Sequence, residues 1–328
     1  MKITPTFISN LETSISAAVT NGMGRVQSNL MWDKVMASRT SATKKELVFF
    51  LLETAKIYDQ QNGGQQRFDD LAAKYMEFEN FRSGAALKLG VDELEDNVLR
   101  NGGGMATLDY AGQWANNIGA ASAYYPQEKM FELITGGTAV ISSASVYDGL
   151  AFFSASHPIN PVVGASGGTY SNLIASKPID YGVTVAVAQA NLASVLGTIA
   201  AYTMPNGIRR FLKPKYLMHA PEIAPRVTEL LTSRYVDATE NIGFTSMGIV
   251  PLTCAELTGK DWYLACEPTP GEAGALVFQE RAPYVLNTFA PESSAQLMSR
   301  KDFEWDFSGR NAIGYGHPYL LVKAKEGA

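Results

Sequence analysis

The longest regular pattern in the sequence is helical, and it constrains the fold more than any other feature. Six apolar side chains from Leu108 to Tyr125 are spaced three or four residues apart, which places them on one face of a helix. Runs of glycine flank the segment on both sides, as they often flank helices. The pattern predicts one long helix over residues 105–135, kinked or split at Pro126.

The composition is that of a globular protein. The 328 residues are 46% hydrophobic and 18% charged, which suits one large domain or two smaller ones. No apolar run approaches the about 18 residues that a membrane-spanning helix needs, and the first residues lack the apolar core of a secretory signal. We therefore expect no membrane association and a reducing compartment, in which Cys254 and Cys266 stay free thiols.

The charge argues against a protein that grips nucleic acid. Such proteins neutralise phosphates with a surplus of Lys and Arg, whereas this chain has a net charge of −5. The densest basic stretch, Arg209 to Lys215, is interpreted as a solvated loop and strand face. The acidic run at 92–96 is interpreted as a solvated helix start. Since no Cys/His cluster has zinc spacing either, the sequence predicts no cofactor and no metal.

Two segments near the N-terminus are predicted to extend away from the body of the protein. Residues 1–44 are polar and lack strong periodicity, so we expect an arm that is ordered by a neighbouring subunit. Apolar runs at 46–52 and 86–91 enclose a polar, glycine-bearing stretch at 58–70. This arrangement predicts a long hairpin whose tip projects from the body of the protein.

The second half of the chain alternates between helical and strand patterns. Residues 178–290 predict an α/β subdomain of about 100 residues, with strands at 215–220 and 262–266 among its elements. Farther on, Phe303, Trp305 and Phe307 alternate with polar residues, and Ser308 to Asn311 has the composition of a turn. We therefore expect the C-terminal residues to form an antiparallel hairpin that reverses at this turn.

The loop from Tyr147 to Pro161 contains the residue types of a hydrolytic triad. Asp148, Ser154, Ser156 and His157 lie close in sequence. A serine nucleophile needs a base within hydrogen-bond reach and a third group that orients the base. The chain has no G-x-S-x-G motif, and His157 precedes a proline, which favours extended backbone. We predict a structural loop, with a cytoplasmic hydrolase that uses Asp148 and His157 as an alternative.

The same loop resembles the mid-chain signature of the Mu-like phage major head subunits. In that family an Asp-Gly, a Phe-Phe pair and a His-Pro precede a Gly-Thr-x-Ser-Asn-Leu run. Here they are Asp148, Gly149, Phe152, Phe153, His157 and Pro158, followed by GGTYSNL. Segments 3–15, 78–97 and 213–233 and the run GRNAIGYGHPYLLVKA resemble the family in the same order. The hairpin tip departs, because it carries QQNGGQQ where relatives often have Trp and Arg.

The resemblance implies the α+β fold of tailed-phage major capsid proteins, first described in phage Hong Kong ninety-seven. It implies an N-terminal arm at 1–44, an E-loop hairpin at 45–91, a P-domain at 92–177 that includes a spine helix at about 105–135, an axial A-domain at 178–290, and C-terminal P-domain strands at 291–328. The hairpin and arm are expected to drape over neighbours. The residues expected to contact other subunits are Phe7, Trp32, Lys56, Asp59, Arg67, Asp69 and Asp70.

The implied function is that of a major capsid protein rather than an enzyme. Hexamers and pentamers would self-assemble, in the host cytoplasm, into an icosahedral phage head that encloses double-stranded DNA without sequence-specific binding. The expected partners are further copies of the chain, a separate scaffolding protein and a portal, with a decoration protein as an additional partner, and the expected location is the virion. An encapsulin-like shell of a cellular compartment is the first alternative, ahead of the hydrolase.

Overall fold

The computed structural model describes residues 5–53, 72–90, 109–139, 146–232, 235–236, 239–240, 247–268, 272–289 and 302–327. The helices within these ranges are α1 (Pro5–Gln27), α2 (Trp32–Val35), α3 (Asp109–Gly136), α4 (Val185–Ala200), α5 (Ala224–Thr232) and three short 3₁₀ turns at Gly164–Gly167, Pro221–Ile223 and Pro318–Leu320. The strands are β1 (Met36–Thr40), β2 (Lys45–Leu51), β3 (Ala73–Glu79), β4 (Phe81–Gly90), β5 (His157–Pro158), β6 (Thr169–Tyr170), β7 (Leu173–Ile174), β8 (Lys213–His219), β9 (Tyr235–Val236), β10 (Thr239–Glu240), β11 (Val250–Thr253), β12 (Trp262–Glu267), β13 (Leu276–Phe289), β14 (Asp302–Tyr315) and β15 (Leu321–Ala324).

Helix α3 confirms the long helix that the apolar spacing predicts, except that residues 105–108 lie outside the described residues. It runs unbroken for 28 residues with Pro126 inside it, so of the two expected outcomes, a kink or a split, the split does not occur. A proline removes one backbone hydrogen bond. Packing on both sides of that point holds the helix together, because Ala115 lies in one core cluster and Met130 in another.

Residues 5–27 pack within their own subunit, so the expectation that a neighbouring subunit must order them is wrong, while the arm at 1–44 as a segment of the capsid fold stays a prediction. Helix α1 packs along α3, and Ile15 and Val19 are buried there. The two backbones approach so closely that a Cβ on Gly119 would collide with the carbonyl oxygen of Val19. A Cβ on Gly22 would likewise collide with the backbone of Asn116. Leu11, Ile15 and Val19 are spaced four apart and do mark a helical face, but the many Ser, Thr and Asn residues between them made the segment read as polar.

A four-stranded sheet in the order β1-β13-β14-β4 covers the first half of α3. Strand β14 runs straight through Ser308–Asn311, so the predicted turn and C-terminal hairpin are wrong. These residues pair with Phe81–Gly84 of β4 instead of reversing the chain. A Cβ at Gly309 would lie 3.1 Å from the Tyr284 ring, so this glycine favours close packing within a strand.

The second sheet has five strands in the order β11-β8-β12-β15-β7. It packs with α4 and α5 into the larger core cluster, and its strands β8 and β12 confirm the strands predicted at 215–220 and 262–266. The C-terminal strand β15 belongs to this sheet, whereas β13 belongs to the four-stranded one. Sheet pairing therefore crosses the expected limits at 290 and 291, and the division into five named segments stays a prediction.

Strands β2 and β3 form an antiparallel hairpin, in register from Lys45 opposite Glu79 to Leu51 opposite Ala73, which confirms the first predicted arm. The second arm predicted at 86–91 is wrong, because residues 86–90 belong to β4 and pair with β14. The tip at 54–71 lies outside the described residues. After Asn80 the chain enters β4, which leaves the hairpin and joins the four-stranded sheet.

Candidate functional site

Asp148 and His157 form a buried pair at the centre of the signature loop. The Nδ1 atom of His157 lies 2.6 Å from Oδ2 of Asp148, and both side chains are almost fully buried. On the other side of the ring, Nε2 lies 3.0 Å from the carbonyl oxygen of Phe152. A neutral imidazole carries one N–H. The carbonyl of Phe152 requires that N–H on Nε2, and one proton is shared between Nδ1 and Oδ2 of Asp148, so the two residues form a buried hydrogen-bonded pair.

This arrangement does not support hydrolysis. Both ring nitrogens of His157 are engaged, so none is left to take a proton from a serine hydroxyl. The Ser154 hydroxyl accepts from the backbone N–H of Ser156 at 3.3 Å. The nucleophile, base and orienting group that the loop composition suggested are therefore not assembled as a triad.

Asn172 ties this loop to the C-terminal segment, and the sequence argument did not single it out. Its Nδ2 group donates to the carbonyl oxygens of Phe152 at 2.7 Å and Pro318 at 3.0 Å. Its Oδ1 accepts from the backbone N–H of Ser154 at 2.9 Å. The only signal in the sequence was its position in the Ser-Asn-Leu part of the signature.

The aromatic residues of the signature fill the core between the two sheets. Phe152 stacks on Tyr315 with ring centroids 4.7 Å apart, and Phe153 packs against Tyr263 at 5.6 Å. Gly149 adopts a φ of +79°, which explains the glycine after Asp148. The signature residues are thus positioned for packing rather than for contact with a ligand.

A second polar cluster joins the hairpin to the body of the protein. Burial, and next to it the nearby Arg210 guanidinium, lower the pKa of His317 to about 3, so this ring is neutral. Arg210 lies over the ring of Tyr319, 3.8 Å from its centroid, and donates to the carbonyl oxygen of Leu52 at 2.8 Å. Phe50 meets the His317 ring edge-on at 5.1 Å. The interpretation of Arg210 as part of a solvated face is therefore wrong, because it clamps the end of β2.

The hairpin has one buried and one exposed face. Val48, Phe50 and Phe78 point inward and form a cluster with the four-stranded sheet. The outer face of the hairpin, defined here as Leu47, Phe49, Leu51 and Tyr75, is apolar and exposed. Phe49 is 71% and Tyr75 64% exposed, and they face each other across the two strands with ring centroids 6.3 Å apart. Water covers this face in the isolated subunit.

Most of the predicted contact residues lie outside the described part of the chain. This holds for Lys56, Asp59, Arg67, Asp69, Asp70 and the side chain of Phe7. Trp32 is described: it meets Phe278 edge-on at 5.2 Å and lines a groove of about 1000 Å³ together with Arg39 and Phe49. Its contact with another subunit stays a prediction.

Two further predictions concern metals and membranes. Among the described residues, no group of three or more His, Cys, Asp or Glu side chains is arranged to hold a metal ion, and the acidic run at 92–96 lies outside them. In the same part of the chain, no helix has the length and apolar character to cross a membrane.

Comparison with known proteins identifies relatives of this fold. The family described as Mu-like prophage major head subunit gpT matches residues 8–183, more than half of the chain. No curated protein matches. The chain is similar to one in the procapsid of bacteriophage JBD30, with 18% identity, a TM-score of 0.52, and coverage of 98% of this chain and 75% of that chain. It is also similar to one in the capsid of cyanophage P-SCSP1u, with 10% identity, a TM-score of 0.55, and coverage of 91% and 88%. These likenesses confirm the α+β phage capsid fold.

Proposed function

The chain belongs to the Mu-like prophage major head subunit gpT family and is a major capsid protein that self-assembles into a phage head, and we propose that its hexamers and pentamers close an icosahedral shell around double-stranded DNA. The protein is a structural one rather than an enzyme. The family match does not favour the encapsulin-like alternative. The two engaged nitrogens of His157 argue against the hydrolase.

The observation that supports this proposal is the exposed apolar outer face of the hairpin. Leu47, Phe49 and Leu51 alternate along β2, and Tyr75 lies opposite them on β3, so the four side chains form one apolar surface. Contiguous exposed apolar surface on a soluble protein marks an interaction site. The opposite face of the same strands is already buried in the subunit, and no described residue of the subunit covers this one. We infer that it packs on an adjacent subunit of the same capsomer.

The charge of the chain supports enclosure of DNA without a specific binding site. With 27 basic and 32 acidic residues, the protein has no electrostatic surplus for phosphates. We further propose a separate scaffolding protein, a portal and a decoration protein as partners, and assembly in the host cytoplasm before the shell becomes part of the virion. A closed shell needs only moderate contacts between each pair of subunits, because many contacts act together.

Electron microscopy of the purified protein tests the proposal, with and without a candidate scaffolding protein. We expect closed shells, tubes, or rings of five and six subunits. The variant Phe49→Ser with Tyr75→Ser should stay folded by circular dichroism and form none of these. The matched control Val162→Ser with Val163→Ser removes similarly exposed apolar side chains from another loop and should assemble normally. A wild-type protein that stays monomeric in every condition contradicts the proposal.

A further inference from the structure

Phe211 combines two properties that are costly within a single subunit. Its side chain is 82% exposed, more than any residue on the outer face of the hairpin. Its backbone has a φ of +47°, in the left-handed region that bulky residues avoid. Glycine or asparagine would relieve this strain. A strained backbone that holds an aromatic ring out in water points to a role outside the subunit.

The loop around Phe211 is held rigidly. The backbone N–H of Met204 donates to the carbonyl of Ile208 at 2.7 Å, and that of Arg210 donates to the carbonyl of Tyr202 at 3.0 Å. On the other side, Leu212 packs against the main core. The ring of Phe211 is therefore presented from a fixed backbone, and a preorganised aromatic side chain loses little conformational entropy when it is buried at an interface.

The surroundings of Phe211 connect it to the proposed interface. Arg210, the preceding residue, donates to the carbonyl oxygen of Leu52, so this loop lies beside the end of β2, where Leu51 belongs to the outer face of the hairpin. Arg209 and Lys213 are exposed on either side of Phe211, which makes an alternating basic–aromatic–basic stripe. The chain as a whole is acidic, so another copy offers an electrostatically favourable partner for this stripe.

We propose that Phe211 is an anchor residue of the contact between adjacent copies of this chain, buried in the neighbouring subunit next to the outer face of the hairpin. The inference rests on the proposed function and extends it to a second element of the interface. Aromatic side chains that are fully desolvated at the centre of an interface carry a large share of its binding energy. The strain at residue 211 is tolerated in the subunit because assembly requires the ring at this position.

Three substitutions separate the ring from the backbone. Phe211→Asn and Phe211→Gly remove the ring and fit the positive φ, whereas Phe211→Tyr keeps the ring. We expect thermal unfolding of unassembled Phe211→Asn and Phe211→Gly subunits at or above the wild-type temperature. Their critical concentration for assembly, measured by light scattering and electron microscopy, should rise at least about tenfold, the factor that a loss of about 1.4 kcal/mol per contact produces. Phe211→Tyr should assemble close to wild type.

Each contrary result has a distinct meaning. If Phe211→Asn assembles at the wild-type concentration, the anchor is refuted while the proposed function stands. If its subunits unfold at a clearly lower temperature, the ring stabilises its own subunit and the inference is again wrong. If assembly is unchanged but binding to a double-stranded DNA fragment at low salt falls, the stripe contacts nucleic acid instead. A wild-type protein that never assembles refutes the proposed function together with this inference.

Discussion

The loop of His157 and the outer face of the hairpin are opposites in how they meet their surroundings. The loop contains the residue types of catalysis, yet Asp148 and His157 satisfy each other inside the protein and reach no solvent. The hairpin face consists of plain apolar side chains, yet it is left open to water. In this protein the reactive-looking residues stabilise the subunit, and the chemically inert ones are available for function.

This comparison shows why exposure separates the two roles better than residue type does. A buried polar group has to be hydrogen-bonded within the subunit, so it is not available to bind or react with another molecule. An exposed apolar group contributes little to the stability of the subunit. It becomes stabilising only when another molecule covers it and removes it from water. For a protein whose function is assembly, the second kind of surface is the functional one.

The sharpest test of the comparison uses two adjacent phenylalanines of β2. Phe50 is fully buried, so Phe50→Ala should lower the free energy of unfolding of the subunit by about 3–5 kcal/mol. Phe49 is 71% exposed, so Phe49→Ala should change it by no more than about 0.5 kcal/mol while weakening assembly. Chemical denaturation and light scattering measure the two quantities. Equal destabilisation by both variants would mean that the hairpin does not have one buried and one exposed face.

Breaking the buried Asp148–His157 pair should affect the subunit alone. His157→Ala leaves Asp148 buried without its partner, and we expect a loss of about 3–5 kcal/mol in the free energy of unfolding. The double variant Asp148→Asn with His157→Gln replaces both ionisable groups by amides and should recover part of this loss. Denaturation curves of the two variants provide the check. A His157→Ala protein of normal stability that had lost a hydrolytic activity would restore the enzyme alternative.

The crossing of α1 on α3 offers a test with internal controls. Gly119→Ala would force a methyl group against the backbone of Val19, at a cost of about 1–3 kcal/mol in the free energy of unfolding. Gly112 and Gly24 lie on the same two helices with open space around them. Replacing either with Ala should stabilise the protein by about 0.5–1 kcal/mol. If all three variants behave alike in thermal unfolding, α1 is not docked on α3 as described.

The sequence allowed the prediction of the α3 helix, of β2 as the first arm of a hairpin, and of the strands β8 and β12, because their apolar residues follow a regular local pattern. The docking of α1 was missed because the stripe of Leu11, Ile15 and Val19 lies in a segment otherwise rich in Ser, Thr and Asn, and because the close contacts at Gly22 and Gly119 leave no apolar signal. The straight course of β14 was missed because Gly309 and Asn311 read as a turn, although they serve close packing and a bond from Asn311 to Ser83 at 3.2 Å.

The candidate site was predictable in part, for a related physical reason. A signature motif marks residues that must stay together, and Asp148, His157 and Asn172 do lie together. A motif does not say whether those residues face a ligand or one another. Long-range partners also leave no local trace, so Arg210 looked like a surface residue while its guanidinium lies on Tyr319 and bonds to Leu52.

Arg210 connects the buried core to the hairpin that carries the exposed outer face. Its replacement should lower the stability of the subunit less than the preceding destabilising variants do, and the effect should be confined to the end of β2. Arg210→Met keeps the apolar stem and removes both the contact with the Tyr319 ring and the hydrogen bond to Leu52. We expect a loss of about 1–2 kcal/mol in the free energy of unfolding. Hydrogen exchange of the β2 amides should accelerate, because the end of that strand loses its clamp. The control Arg209→Met changes an exposed neighbour and should leave exchange in β2 unaltered. If the β2 amides stay equally protected in Arg210→Met, the inner cluster of Val48, Phe50 and Phe78 alone holds the hairpin. The outer face of the hairpin would then be positioned independently of the loop that carries Phe211.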